Sequence, residues 1–227
     1  LTYKVEGETV AVVGCDKNAS GELVIPSSYN GKPVISIGSY AFNSCSSLTS
    51  VTIPDSVTSI GRFAFGYCSG LSSVTIPDSV TSIGQDAFWD CSNLMSVTIP
   101  DSVTSIENMT FRNCSNLTSV IIGNKVTSIG RWAFRDCRNL TNVTIPDSVT
   151  QIGSWAFSGC SSLKSITFEG NAPSSFGSDV FKNLPIGATI TVTAGATGFG
   201  ETYGGLTVQI LKKKLEINTF SKSATPF

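Results

Sequence analysis

The 227-residue sequence contains no histidine. Histidine is the commonest general base and the commonest metal ligand, so its absence excludes Ser-His and Cys-His catalytic pairs. Charged residues make up only 14% of the chain and the net charge is −1, which leaves no basic surface for nucleic acid or an anionic membrane. No apolar run approaches the roughly 18 residues of a membrane-spanning helix. We therefore expect neither nucleic-acid binding nor membrane insertion.

Other chemical signatures are also missing. No cysteine pair has zinc-ligand spacing, and the serines have no neighbouring general base. The single aspartate of each recurring Pro-Asp turn offers too few oxygens for calcium, and "GATGFGETYGG" opens no helix that could bind phosphate. We predict that the protein is not an enzyme, that it uses no cofactor and that it binds no metal.

What the sequence does contain is one phrase repeated every 23 residues. "VTIPDSVTSIGRFAFGYCSGLSS" begins at Val51, and full copies follow from Val74, Val97, Val120 and Val143. A longer first copy starts near Leu23, and a degenerate last copy starts at Ile166. Each copy supplies a buried strand that alternates Val and Ile with Thr, a Pro-Asp turn, a second short extended segment and an "AF..C" turn. One copy cannot cover its own apolar face, so the copies are expected to stack as coils.

The phrase "C..L..V.IP..V..IG..AF" resembles the BspA-like (TpLRR-type) class of leucine-rich repeats over residues 20–170. The resemblance implies a mainly β fold, a right-handed leucine-rich-repeat solenoid with short parallel strands on two sides. We predict an N-terminal β-hairpin cap at 1–22, a solenoid of six to seven coils at 23–170, a C-terminal β cap at 171–212 and a tail or linker at 213–227. Members of the family are typically secreted or surface proteins linked to adhesion.

Six cysteines share one position of the repeat, and Cys15 stands apart. We expect each thiol of this cysteine column to fill the same small gap in the core. Disulfide pairing between neighbouring coils and metal binding are the alternatives. The column consists of Cys45, Cys68, Cys91, Cys114, Cys137 and Cys160.

Specificity is expected where the copies differ, at the two residues after the glycine and the two after "AF". Arginines and aromatics recur there, and these residue types dominate binding hot spots. The alternative is that Phe63, Trp132 and Trp155 stack on neighbouring coils and merely pack the side of the rod. The candidate binding residues are Arg62, Phe63, Tyr67, Trp89, Arg112, Arg131, Trp132, Arg135 and Trp155.

These features favour a monomeric extracellular or cell-surface module, its signal peptide removed, that binds a protein or glycan ligand. Two alternatives remain open. The chain could be a spacer rod that presents other domains, or its threonine rows, interrupted at Ile121, could bind ice.

Overall fold

The computed structural model describes residues 1–211, and the predicted tail at 213–227 lies outside the described residues. Within them the chain forms no helix, only short strands joined by turns. The strands are β1 (Thr2–Glu6), β2 (Thr9–Gly14), β3 (Gly21–Val24), β4 (Ser28–Tyr29), β5 (Lys32–Ile37), β6 (Leu48–Thr52), β7 (Ser59–Ile60), β8 (Ser73–Thr75), β9 (Ser82–Ile83), β10 (Ser96–Ile99), β11 (Ser105–Ile106), β12 (Ser119–Ile122), β13 (Ser128–Ile129), β14 (Asn142–Ile145), β15 (Gln151–Ile152), β16 (Ser165–Phe168), β17 (Ser175–Phe176), β18 (Thr189–Thr193), β19 (Thr202–Tyr203) and β20 (Leu206–Leu211).

The "VTI" segments form what we call the first strand side of the rod. Neighbouring strands there run parallel and pair in register, one repeat apart, as Val97 does with Val120. Val97 and Ile99 point inwards and are buried, whereas Thr98 between them is exposed. This is the inside-outside alternation expected of a strand with one face on the core. The side contains three paired groups, β3-β6-β8, β10-β12 and β14-β16-β18-β20.

The two-residue strands form the second strand side. Ile60 pairs with Ile83, and Ile106 pairs with Ile129, again parallel and in register. The side is built from the groups β2-β5-β7-β9 and β11-β13-β15-β17. Short parallel strands on two sides of a stack of coils, without helices in residues 1–211, confirm the predicted fold.

The "AF..C" segments form the third, or turn, side. Amides of this side donate to carbonyls of the next coil: Phe63, Phe65 and Tyr67 do so at 3.2, 2.8 and 2.7 Å. The intervening amides bond within the turn, as Ala64 does to the Gly61 carbonyl. The backbone of this side is therefore paired along the stack.

Two positions of each turn adopt left-handed backbone. The second residue after the glycine position has φ between 51° and 61° in every coil from Tyr40 to Asp179. The second residue after "AF" has φ between 58° and 76° from Tyr67 to Asn183, and Asp, Asn or Gly, which tolerate this region best, hold most of these positions. Local geometry therefore explains part of the variation between copies.

The interior is a set of side-chain columns. Phenylalanine rings of adjacent coils stack with centroids 4.9–5.4 Å apart and planes within 8° from Phe42 to Phe157, and every one of these rings is fully buried. Phe181 extends the column at 6.0 Å from Phe157. Leucine, isoleucine and cysteine columns beside it join the same continuous core. Burial of these columns is the main source of stability, since each coil buries its apolar face only against its neighbours.

Glycine allows the second strand side to close tightly. A Cβ at Gly84 or Gly153 would lie 2.7 or 2.5 Å from the amide nitrogen of Arg62 or Arg131 in the preceding coil. Glu107 occupies this position in one coil, and its Cβ prevents the same approach. At that step neither β9 and β11 nor β8 and β10 pair. We call this interruption of both strand sides the seam.

Further strands and rings lie at both ends of the described stack. At the N-terminal end β1 pairs antiparallel with β2, which lies parallel to β5. At the other end Phe199 and Tyr203 pack on Phe168 and Phe176, with centroid distances of 5.2 Å for Phe168–Phe199 and 4.5 Å for Phe176–Tyr203. β20 pairs parallel with β18 and so continues the first strand side, and it pairs antiparallel with the preceding strand β19.

Candidate functional site

All nine candidate binding residues lie on the turn side, where the structure brings them into one surface. We call this surface the arginine–aromatic face. Its residues come from the two positions after the glycine and the two positions after "AF", in five consecutive coils. The face consists of Arg62, Phe63, Tyr67, Trp89, Arg112, Arg131, Trp132, Arg135 and Trp155.

Aromatic rings form two groups along the face. Phe63 stacks on Tyr40 at 5.2 Å and meets Trp89 at 5.5 Å, and Tyr67 also contacts Trp89 at 5.3 Å. Trp132 and Trp155 stack at 5.7 Å farther along the rod. Such ring pairs add roughly 0.5–1.5 kcal/mol beyond their burial. Phe63, Trp132 and Trp155 therefore stack on rings of neighbouring coils, as the packing alternative predicts. The three rings are also partly exposed at the surface.

Arginines link and cover these rings. The Arg112 guanidinium lies between the two groups, 5.3 Å from the centre of the Trp89 ring and 5.9 Å from that of Trp132. The Arg131 guanidinium lies 3.6 Å from Trp132 and 4.7 Å from Trp155. These are cation–π distances, so the rings hold both guanidinium groups in place.

Two other arginines of the face have carboxylate partners. Arg62 lies 3.3 Å from Asp86, whose side chain is only 1% exposed, and Arg135 lies 3.2 Å from Asp136. Among residues 1–211, no carboxylate comes within 4 Å of Arg112 or Arg131. The face therefore contains two neutralised and two uncompensated arginines.

Several buried polar atoms of the face also lack a hydrogen-bond partner in the described part of the chain. Three of them are donors, the indole N–H groups of Trp89 and Trp132 and the Nε of Arg112. The acceptor Oδ1 of Asp86, beside the face, is also buried and has no hydrogen-bond partner in the described part of the chain. Unpaired buried donors cost free energy, and the three donors are grouped around Arg112.

In two successive coils the aromatic residue and the smaller residue occupy opposite positions of the turn. Gly66 leaves room for the ring of Phe63, since a Cβ there would lie 2.8 Å from Phe63 Cδ1. In the following coil Asp86 replaces the aromatic residue and Trp89 takes the position of Gly66. Tyr40 was not among the predicted residues, although its spacing from Gly38 matches that of Phe63 from Gly61.

The cysteine column lies inside the rod, behind the turn side. Each thiol from Cys68 to Cys160 donates to the carbonyl of the phenylalanine 26 residues earlier, at 3.0–3.2 Å. Burial raises the pKa of Cys68 to about 12 and that of Cys45 to about 11, and it raises the pKa of Cys91 well above 9.0. These three thiols are therefore neutral at ordinary pH, which makes them poor nucleophiles.

The rest of the described surface offers simpler chemistry. Thr52, Thr75, Thr98 and Thr144 of the first strand side are exposed, and Ile121 interrupts their row with 60% of its surface exposed. Residues 1–211 contain no group of three His, Cys, Asp or Glu side chains placed to hold a metal ion. No helix capable of crossing a membrane is found among the described residues.

A stack of short-stranded coils with columns of identical apolar residues inside and varied residues on the turns defines a leucine-rich-repeat solenoid. Six copies of the BspA type leucine rich repeat region match residues 22–105 and 87–203. The chain therefore belongs to the BspA-type leucine-rich-repeat family, which confirms the resemblance noted in its sequence.

Solved structures agree with this assignment. The chain is similar to the T. pallidum leucine-rich repeat protein TpLRR, with 31% identity, a TM-score of 0.73 and coverage of 82% of this chain and 89% of that one. It is also similar to a leucine-rich repeat protein from Eubacterium ventriosum, with 26% identity, a TM-score of 0.70 and coverage of 89% of this chain. The match covers 54% of that relative, so this chain spans about half its length.

A third similar structure is described as a leucine rich cell surface protein from Faecalibacterium prausnitzii. It is 24% identical, with a TM-score of 0.46 and coverage of 85% of this chain and 76% of that one. No curated protein matches the sequence.

Proposed function

We propose that this chain is a non-enzymatic extracellular or cell-surface binding module that recognises a protein or glycan through the arginine–aromatic face. The observation that carries the proposal is that nine varied residues form one continuous surface on an otherwise repetitive rod. Repeat proteins of this kind typically act as binding scaffolds, and arginine and tryptophan are the residues most enriched at binding hot spots.

The backbone of the face supports the same conclusion. Phe63, Trp132 and Trp155 have φ values of 51°, 58° and 58°, a region that costs bulky side chains more than Asn or Gly. Strained residues of this kind gather at functional surfaces. The turn geometry alone would be satisfied more easily by the smaller residues found at the neighbouring left-handed position, so a role in recognition gives a reason for the aromatic rings.

The test compares two surface variants that remove three side chains each. The first combines Trp89→Ala, Arg131→Ala and Arg135→Ala on the face. The matched control combines Thr75→Ala, Thr98→Ala and Thr144→Ala on the first strand side. Immobilised extracellular-matrix proteins and a glycan array serve as probes, and surface labelling of cells that express the full-length protein tests the proposed location.

The face variant is expected to lose binding at least tenfold while the control binds like the unmodified chain. Undiminished binding by the face variant would overturn the proposal. Absence of any binding partner, together with other domains in the full-length protein, would favour the spacer alternative. Thermal hysteresis that the threonine variant abolishes would favour ice binding instead.

A further inference from the structure

The two uncompensated arginines set the chemistry that the arginine–aromatic face can recognise. Arg112 is half-buried and Arg131 is exposed, and both guanidinium groups lie within 6 Å of the centre of one ring, that of Trp132. Their neighbours Arg62 and Arg135 are neutralised by Asp86 and Asp136. Positive charge on the face is therefore concentrated at Arg112 and Arg131.

The uncompensated charge coincides with the unpaired hydrogen-bond donors. Nε of Arg112 and the indole N–H groups of Trp89 and Trp132 belong to the same three side chains that contact one another through Arg112. A carboxylate accepts several hydrogen bonds at once and forms a bidentate pair with a guanidinium, through two parallel N–H···O hydrogen bonds. One carboxylate of this kind would neutralise a guanidinium charge here, whereas the three buried N–H groups could be reached only after these side chains rearrange.

We infer that Arg112 and Arg131 bind the carboxylates of an extended acidic peptide segment of a protein partner, a proposal that rests on the proposed function of the face. Side chains on one face of an extended peptide recur about every 7 Å. Two carboxylates at that spacing can reach two guanidinium groups that lie 5.9 and 3.6 Å from the centre of one ring. Each arginine is held by aromatic rings before binding, so little side-chain entropy is lost.

The surroundings of the two arginines favour recognition of acidic side chains over strand addition, stacking of a neutral sugar or general attraction of a polyanion. The turn-side amides already pair between coils, so the partner cannot bind by adding a strand here. The Arg131 guanidinium lies 3.6 Å above the Trp132 ring and 4.7 Å from Trp155, and it covers ring surface on which a neutral sugar would stack. With a net charge of −1, the chain has no general attraction for polyanions, so binding has to be local.

The experiment uses the full chain and a synthetic peptide of alternating glutamate and serine, with an alternating glutamine and serine peptide as the neutral probe. Binding is measured at low and high salt for the unmodified chain and for Arg112→Gln and Arg131→Gln. Lys125→Gln, which removes the same charge from an exposed residue away from the face, is the matched control. Arg112→Lys tests whether charge suffices without the guanidinium geometry. Melting temperatures establish that each variant is folded. Because Arg131 is exposed, its substitution should disturb the fold less than substitution of the half-buried Arg112.

The glutamate peptide is expected to bind and the glutamine peptide to fail. Each arginine variant, Arg112→Lys included, should weaken binding about tenfold or more, and Lys125→Gln should leave it unchanged. Lack of binding at low salt, or an equal loss in Lys125→Gln, would overturn the inference. Stronger binding of polygalacturonate or heparin than of the peptide would also overturn it, in favour of an acidic polysaccharide.

Failure of the acidic-peptide inference can be distinguished from failure of the proposed function. If the glutamate peptide does not bind but the triple variant of the face still loses binding to a matrix protein or glycan, the face is a binding surface with a different chemistry. If neither measurement responds to changes in the face, both proposals are wrong.

Discussion

The seam and the regular steps of the rod differ in their backbone pairing but share the same interior. At regular steps the amides of Gly84, Gly130 and Gly153 donate to the preceding coil at 2.7–2.8 Å. No corresponding bond from the amide of Glu107 is found in the described part of the chain. Across the same step the rings of Phe88 and Phe111 stack at 5.3 Å, as they do elsewhere.

The turn side also crosses the seam without change. Phe88 and Asp90 donate their amides to the carbonyls of Thr110 and Arg112 at 2.9 and 2.8 Å. The side-chain columns and the turn side therefore join these two coils without paired strands. Pairing on the strand sides adds regularity: both sides lack it at the seam, and the first strand side lacks it again between β12 and β14. Four predictions test this order of importance.

The largest effect is expected from titrating the cysteine column, which spans the seam with Cys91 on one side and Cys114 on the other. Burial raises the pKa of both thiols, whereas they titrate near 9.0 in the unfolded chain. The folded state therefore binds more protons above that pH. Stability is fully present below about pH 9 and falls as the pH rises above it, by about 1.4 kcal/mol per pH unit for each of these two thiols.

Urea unfolding at pH 8, 9.5 and 10.5 measures this loss. Cys91→Ala is the control, because it lowers stability at pH 8 but makes the decline with pH less steep. A free energy of unfolding that stays constant from pH 8 to 10.5 would contradict the prediction.

The second prediction removes one ring of the phenylalanine column at the seam. Phe111→Ala is expected to cost about 3–5 kcal/mol, because the ring is fully buried and the rigid neighbouring coils cannot collapse into the space. Guanidinium unfolding measures the cost, and separate transitions for the two halves would show that the column joins them. Tyr40→Ala, at a ring that is 51% exposed, should cost much less. Equal losses in the two variants would show that burial is not what makes the column important.

The third prediction converts a regular step into a second seam. Gly153→Ala places a Cβ 2.5 Å from the amide nitrogen of Arg131, and the backbone of the two coils must separate. We expect a loss of about 1–3 kcal/mol and faster hydrogen exchange at the Gly153 position. Gly200→Ala is the matched control, since its Cβ would meet no atom closer than 3.5 Å. Unchanged exchange in Gly153→Ala would show that glycine is not required for close approach.

The smallest effect is expected from closing the natural seam. Glu107→Gly removes the Cβ that separates the coils, so the amides of residues 104 and 107 can pair with the carbonyls of Thr81 and Ile83. The net gain should not exceed about 1 kcal/mol, because two hydrogen bonds are offset by the conformational entropy of glycine. Slower hydrogen exchange at Thr104 is the sharper measurement. Glu107→Ala keeps the Cβ and should leave exchange unchanged, so slowing in both variants would refute the explanation.

Much of the fold could be predicted from the sequence because it depends on a strict repeat. The alternation of Val97, Thr98 and Ile99 predicted a strand with one buried face, and the recurrence of phenylalanine predicted an inner column. Candidate binding residues were predicted from variation between copies, and the structure places all nine on one side. Their role in binding remains a prediction. Tyr40 was missed because it lies in the longer first copy, where the repeat is harder to recognise.

The partners of the arginines could not be predicted in the same way. Arg62 pairs with Asp86 of the next coil, and Arg112 contacts Trp89 and Trp132 of two other coils. Side chains at different positions of the repeat make these contacts, and their reach depends on the rotamers and on the left-handed turns. The periodicity carries no information about such pairs.

The 23-residue period sets the length of each coil, the residues that face the core and the side on which the copies differ, because a fixed period brings identical positions into register. The places where strand pairing is interrupted and the arginines that lack a carboxylate follow instead from the packing of the folded coils. Both outcomes depend on whether particular atoms of neighbouring coils can approach one another, as at the Cβ of Glu107 and the guanidinium of Arg112. Such approach is a property of the packed coils and not of any single repeat.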